Sequence, residues 1–153
     1  MANLYEIQKG VAVKQAFGKL MDYSSNGESE SSESPEVELI CELLEAAMQA
    51  KIFHWQTSSY AEHQALGEFY EGLSDLTDSL VEAYQGKFGR VMAGHELEVM
   101  PYTMDAPLTF VNEFCMFLRT NARMAVMGDS ALNNILDEII ALAEKTKYLL
   151  TFK

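Results

Sequence analysis

Long apolar runs are missing from this sequence. Nowhere do about 18 consecutive apolar residues occur, the length a membrane-spanning helix needs, so no such helix is expected. Cysteine is scarce. Cys41 and Cys115 are far apart, with no Cys-x-x-Cys, and each sits inside an apolar helical pattern. Both read as reduced core residues, not as a disulfide or a zinc site. Positive charge is scarce too, with 11 Lys and Arg against 23 Asp and Glu and a net charge of −12. Neutralising phosphates takes clustered Lys and Arg, so direct DNA binding is not expected. The charge suits attraction of cations, and equally plain solubility. There is no Gly-x-Ser-x-Gly, no phosphate-binding glycine loop and no Glu-x-x-His, the motif of in-bundle di-iron sites. The first residues, Met1-Ala2-Asn3-Leu4-Tyr5-Glu6, do not begin a secretory signal, so a cytoplasmic location is expected.

What is present is helical. With 48 % apolar residues in a chain of 153, one domain with a real core is possible. Residues 24–34, SSNGESESSES, are acidic, serine-rich and nearly devoid of anything to bury, and read as a linker. Residues 1–23 before it form an arm with weak helical spacing and three scattered lysines. The body is expected over 35–153. Ser34-Pro35, followed by Glu36 and Glu38, is a helix start, and a first helix should run to about Gln56. Its polar residues fall on one narrow stripe, Glu38, Glu42, Glu45, Gln49 and Gln56. The rest of its circumference is so apolar that burial on two sides is expected, by its own bundle and by another chain.

A second helix is expected from about Tyr60 to Tyr84, ended by Gly86 and Gly89, with Leu66, Phe69, Leu73, Leu76 and Leu80 as its core stripe. A connection of roughly twenty residues follows, long for a small bundle. Leu108–Met127 reads as a third helix stopped by Gly128. The fourth, capped by Asp129 or Ser130, carries Leu132, Ile135, Leu136, Ile139, Leu142 and Ala143. Two short-turn hairpins joined by one long crossover form an all-α, ferritin-like four-helix bundle.

The residues with chemistry to offer are His54, His63, Asp78 and Glu82. Singly, each has an ordinary explanation: a histidine at a helix end is usually a cap or surface group, and an acidic stripe is usually solvated. Together, imidazole and carboxylate suit Fe(II), Zn(II) or Mn(II). Asp78 and Glu82 share one face of the second helix, at about 60° and 100° from His63, whereas the core stripe centres near 265°. Asp78 is also about 22 Å along the helix from His63. A site that uses all four residues must therefore join His54 and His63 of one chain to Asp78 and Glu82 of another.

The run His54-Trp55, then His63, then Asp78-x-x-x-Glu82 resembles the Dps family, the miniferritins that protect DNA during starvation. The likeness is best over residues 36–85. It implies that His54, His63, Asp78 and Glu82 form an intersubunit ferroxidase centre, both catalytic and metal-binding. It implies a hollow homo-dodecamer built from two-fold dimers, which oxidises Fe(II) with hydrogen peroxide or oxygen and stores ferric iron. It also implies a short helix in the long connection, at the dimer interface. Zinc is the alternative metal. Two departures stand out: the His54–His63 spacing is short, and Gly67 occupies a position where the family often has an acidic residue. These allow an alternative, a non-catalytic assembly or particle-associated protein that kept the fold. His95, in the long connection, has no assignable partner.

Overall fold

The computed structural model describes residues 34–91 and 97–152. The arm at 1–23, nearly all of the linker and His95 lie outside the described residues. Every regular element among the described residues is a helix: α1 (Pro35–Gln56), α2 (Tyr60–Phe88), α3 (Ala106–Thr120), the short α4 (Ala122–Ala125) and α5 (Ser130–Leu149). The chain is all-α there, and none of these helices is long and apolar enough to cross a membrane.

The helix starts follow local chemistry. Pro35 stands at the first position of α1, where a missing N–H costs nothing. Ser59 caps α2 by accepting the Glu62 N–H, and Asp129 caps α5 by accepting from Ala131 and Leu132. Two ends differ from the sequence reading. Helix α2 runs through Gly86 to Phe88 and stops only at Gly89, whose φ of 95° leaves the helical region. An interior glycine costs a helix about 1 kcal/mol, which packing outweighs, whereas a positive φ ends it. The third helix does not continue to Met127. It breaks after Thr120, whose hydroxyl bonds back to the Met116 carbonyl, and resumes as one turn. Met127 and Gly128, with φ of 52° and 72°, then reverse the chain.

α1 packs on α2, α2 on α5, and α5 on α3, while α3 and α4 close the ring back onto α1. Leu43, Phe53, Leu66, Phe69, Leu73, Phe114, Leu118, Leu136 and Ile139 fill the middle with essentially no exposure. Phe rings meet edge to face, Phe53 on Phe110 at 5.9 Å and Phe69 on Phe114 at 6.0 Å. Cys41 and Cys115 are buried, with no disulfide among the described residues.

The described part of the long connection, residues 97–105, contains no helix. The short helix implied for this connection is therefore not found there, and residues 92–96 lie outside the described set. Instead 97–105 is tied to α1 by side chains. Gln49, 1 % exposed, accepts from the Met100 N–H at 2.6 Å and donates to its carbonyl at 2.9 Å. Gln56 accepts the Tyr102 N–H at 2.7 Å. These amides do the work a short helix would otherwise do, satisfying irregular backbone at the protein surface.

The polar stripe of α1 also carries an electrostatic cost. Burial, with Glu45 and Glu38 adding to it, pushes the Glu42 carboxyl up to about 7. The folded form therefore holds this proton more tightly than the unfolded chain, whose carboxyl titrates near 4.5. The associated stability is present below that value and is lost as pH rises through 7. Urea titrations should show the Glu42→Gln variant free of this decline, gaining up to about 3 kcal/mol over the parent at pH 8 relative to pH 4. Parallel pH profiles for the two proteins would contradict this. Burial likewise raises Glu113, whose Oε2 is buried with no hydrogen-bond partner.

Candidate metal site at the α1–α2 turn

The turn Thr57-Ser58-Ser59 is too short to let α1 and α2 separate, so the last turn of one faces the first turn of the other. His54 and His63 meet there. Their rings stack at 3.8 Å between centroids, 19° from parallel. His54 Nδ1 donates to the His63 carbonyl at 2.8 Å, and His63 Nδ1 donates to the His54 carbonyl at 2.9 Å. A carbonyl only accepts, so both Nδ1 atoms carry the proton. In this tautomer the lone pair of each ring is on Nε2. The His54 carbonyl lies in the last turn of α1, where backbone acceptors lack helical partners, so the clasp also satisfies it.

Gly67 makes room for this arrangement. A Cβ at that position would lie 3.2 Å from Cε1 and 3.3 Å from Nδ1 of His54. The departure noted in the sequence thus has a local cause: the His54 ring rests on α2 where a side chain would otherwise stand. Tyr70 closes the other edge, its ring 5.3 Å from that of His54 and nearly perpendicular to it. Lys51 Nζ lies 5.3 Å from the Tyr70 ring centroid and 5.7 Å from that of Trp55. Trp55 itself is 63 % exposed.

Gly67→Ala tests the fit. Alanine gains helix propensity of about 1 kcal/mol, which offsets the crowding, so global stability should change by less than about 1 kcal/mol. The clasp should loosen: a hydrogen-bonded His54 Nδ1–H resonance is expected in NMR spectra of the parent and should be lost in the variant. Retention of that resonance would contradict the assigned role of Gly67.

A carboxylate anchors the turn from below. Glu62, 4 % exposed, accepts through Oε2 from Thr57 Oγ1 at 2.6 Å and from the Tyr102 hydroxyl at 2.9 Å. Thr57 Oγ1 in turn accepts the Ser59 N–H at 3.0 Å. Turn, α2 and long connection are thereby joined at one oxygen next to His63. Sequence reasoning did not single out Glu62, although Ser59-x-x-Glu62 is a capping-box spacing that signals it. Nothing in the sequence marks Tyr102 as its companion, or Gln49 as the partner of the Met100 backbone.

Asp78 and Glu82 are exposed, one turn apart on α2. The structure thus brings the two histidines together and leaves the two carboxylates farther along the same helix. Among the described residues of a single chain, no three His, Cys, Asp or Glu side chains are grouped to hold a metal ion. Their acidic neighbours are engaged differently: Glu68 pairs with Lys145 at 2.8 Å, and Glu71 accepts from Tyr70 at 3.2 Å.

Residues 54–150 match the model of a family of unknown function, DUF5856, and the chain belongs to that family. The matched region opens at His54 and takes in the clasp, the crossover and α5. No curated protein sequence and no solved structure matches the chain significantly.

Proposed function

We propose that this member of the DUF5856 family is a Dps-like ferroxidase with a ferritin-like four-helix fold, working in the cytoplasm as a homo-oligomer of two-fold dimers and, by the resemblance, as a dodecamer. Fe(II) is its substrate. His54 and His63 of one subunit and Asp78 and Glu82 of the next would bind it. Each Fe(II) gives up one electron. Hydrogen peroxide takes two, with two protons, and leaves as water, and oxygen is the other candidate oxidant. The ferric product would be stored inside the particle.

The observation that carries this reading is the paired clasp. Metal-binding histidines commonly donate their second ring N–H to a carbonyl or carboxylate, which fixes the tautomer and the ring plane. His54 and His63 both do so, each to the other's backbone. The exposed Asp78 and Glu82 supply hard oxygen ligands that suit iron once a partner brings them near. The test is to add Fe(II) and peroxide to apo-protein and follow Fe(III) absorbance, then measure native mass and bound iron. Accelerated oxidation with many irons per chain is expected. Oxidation at the protein-free rate would overturn the proposal, and retention of zinc in place of iron would reassign the metal.

A second reading keeps the fold without the chemistry. The clasp also closes the α1–α2 hairpin and satisfies a helix-end carbonyl, and Gly67 serves that packing. A purely structural or particle-associated role would follow. It predicts that His54→Ala lowers stability but changes no metal-dependent property.

A further inference from the structure

We propose that Tyr102 and Glu62 form a one-electron donor pair beside the histidine clasp: the Tyr102 phenol gives up an electron while its proton crosses to the Glu62 carboxylate. The inference rests on the iron reading for its natural oxidant, and it concerns residues outside the four candidate ligands.

The pair has the geometry that proton-coupled oxidation needs. The Tyr102 hydroxyl donates to Glu62 Oε2 at 2.9 Å, so an acceptor for the phenol proton is already in place. That carboxylate is buried, and its negative charge favours loss of an electron from the neighbouring ring. A phenol that lost its electron alone would leave an uncompensated cation in the protein, which is costly. Moving the proton to Glu62 leaves a neutral phenoxyl beside a neutral acid. The ring is also held in place, edge-on to Phe53 at 6.2 Å. Position is equally specific. Glu62 directly precedes His63, and Phe53 directly precedes His54. The phenol oxygen therefore lies within about 15 Å of the His63 ring, by the reach of the residues between them. Electrons tunnel readily through packed protein over that range.

Two other oxidisable rings lie beside the clasp, and the structure disfavours both. Lys51 Nζ stands 5.3 Å from the Tyr70 ring centroid and 5.7 Å from that of Trp55. A cation over the face of a ring opposes removal of an electron from it. The Tyr70 hydroxyl also bonds an exposed carboxylate, Glu71, at the longer distance of 3.2 Å. The role of the pair follows from the electron count. One Fe(II) supplies one electron, and hydrogen peroxide takes two. Reduced by one electron alone, peroxide splits into hydroxide and a hydroxyl radical. With a single Fe(II) bound, Tyr102 supplies the second electron. The O–O bond breaks, two protons from solvent complete two water molecules, and the phenol proton stays on Glu62. The next Fe(II) returns an electron to the phenoxyl, and the proton moves back.

The test uses the full chain with one Fe(II) per chain and excess hydrogen peroxide, frozen within milliseconds for electron spin resonance. A tyrosyl signal is expected in the parent. It should be lost in Tyr102→Phe and fall several-fold in Glu62→Gln, with helical circular dichroism retained, while Trp55→Phe and Tyr70→Phe keep it. A spin trap should capture several-fold more hydroxyl radical from Tyr102→Phe than from the parent. A second measurement needs no iron: a photoexcited ruthenium polypyridyl oxidant acting on metal-free protein should give the same tyrosyl signal, again absent from Tyr102→Phe. Where the parent speeds Fe(II) oxidation, the iron sample decides. A missing signal, one that survives Tyr102→Phe, or one lost with Tyr70→Phe would overturn the pair and leave the iron reading standing. Where the parent does not speed Fe(II) oxidation, the iron reading falls, and the iron-free sample decides the pair by the same criteria.

Discussion

Alanine in place of His63 or of Glu82 is expected to slow Fe(II) oxidation by the assembled protein at least tenfold, with the helices intact. The two substitutions act differently. His63→Ala removes one ring nitrogen and the donor to the His54 carbonyl, so the His54 ring loses its stacking partner. The lost hydrogen bond is worth about 1 kcal/mol at a site partly open to water, too little to unfold the domain. Glu82 is exposed on α2, and its removal should cost almost nothing in stability. Its whole effect should appear in metal binding and rate, since disturbing even the outer supports of a metal site typically costs about 10–100-fold. Stopped-flow absorbance with Fe(II) and peroxide, beside thermal melts, separates the two. Wild-type rates in both variants would contradict the ligand assignment.

Phe53→Ala should be the most destabilising single substitution near the site, by about 3–5 kcal/mol in urea unfolding. Phe53 has no exposed surface and sits one residue before His54. Its ring meets Tyr102 of the long connection edge-on at 6.2 Å and Phe110 of α3 at 5.9 Å. Removing it leaves a cavity between three parts of the chain that close packing cannot refill. Domains of this size carry only about 5–15 kcal/mol in total, so much of the stability would go. Tyr102 should also lose its seat, and with it the bond to Glu62. A loss under about 1 kcal/mol would show that the core can collapse around the gap, contrary to the packing described.

Much of the fold was legible in the sequence because helices announce themselves through periodicity and caps. Ser34-Pro35, the Thr57-Ser58-Ser59 turn and the Asp129 cap all mark boundaries that the structure has. The end of α2 was less legible, since composition does not reveal which of two glycines takes a positive φ. The break at Thr120 depends on side chains competing for backbone carbonyls, which no pattern of apolar residues encodes. At the site, the four candidate residues could be named from spacing, and the outward placement of Asp78 and Glu82 followed from helical geometry. The reciprocal bonding of His54 and His63 could not be foreseen, because it depends on ring planes across a three-residue turn. The same holds for Gly67, whose role appears only once the His54 ring is seen lying against it.

The central claim, that each site is shared between two subunits, is tested most directly by mixing. A His54→Ala/His63→Ala chain and an Asp78→Ala/Glu82→Ala chain should each fail to accelerate Fe(II) oxidation. When the two are unfolded together, refolded and assembled at random, half of the two-fold dimers are mixed, and each mixed dimer has one intact site. Oxidation should then return to about a quarter of the wild-type rate per chain. No recovery in a mixture shown by native mass spectrometry to contain mixed dimers would contradict the shared site.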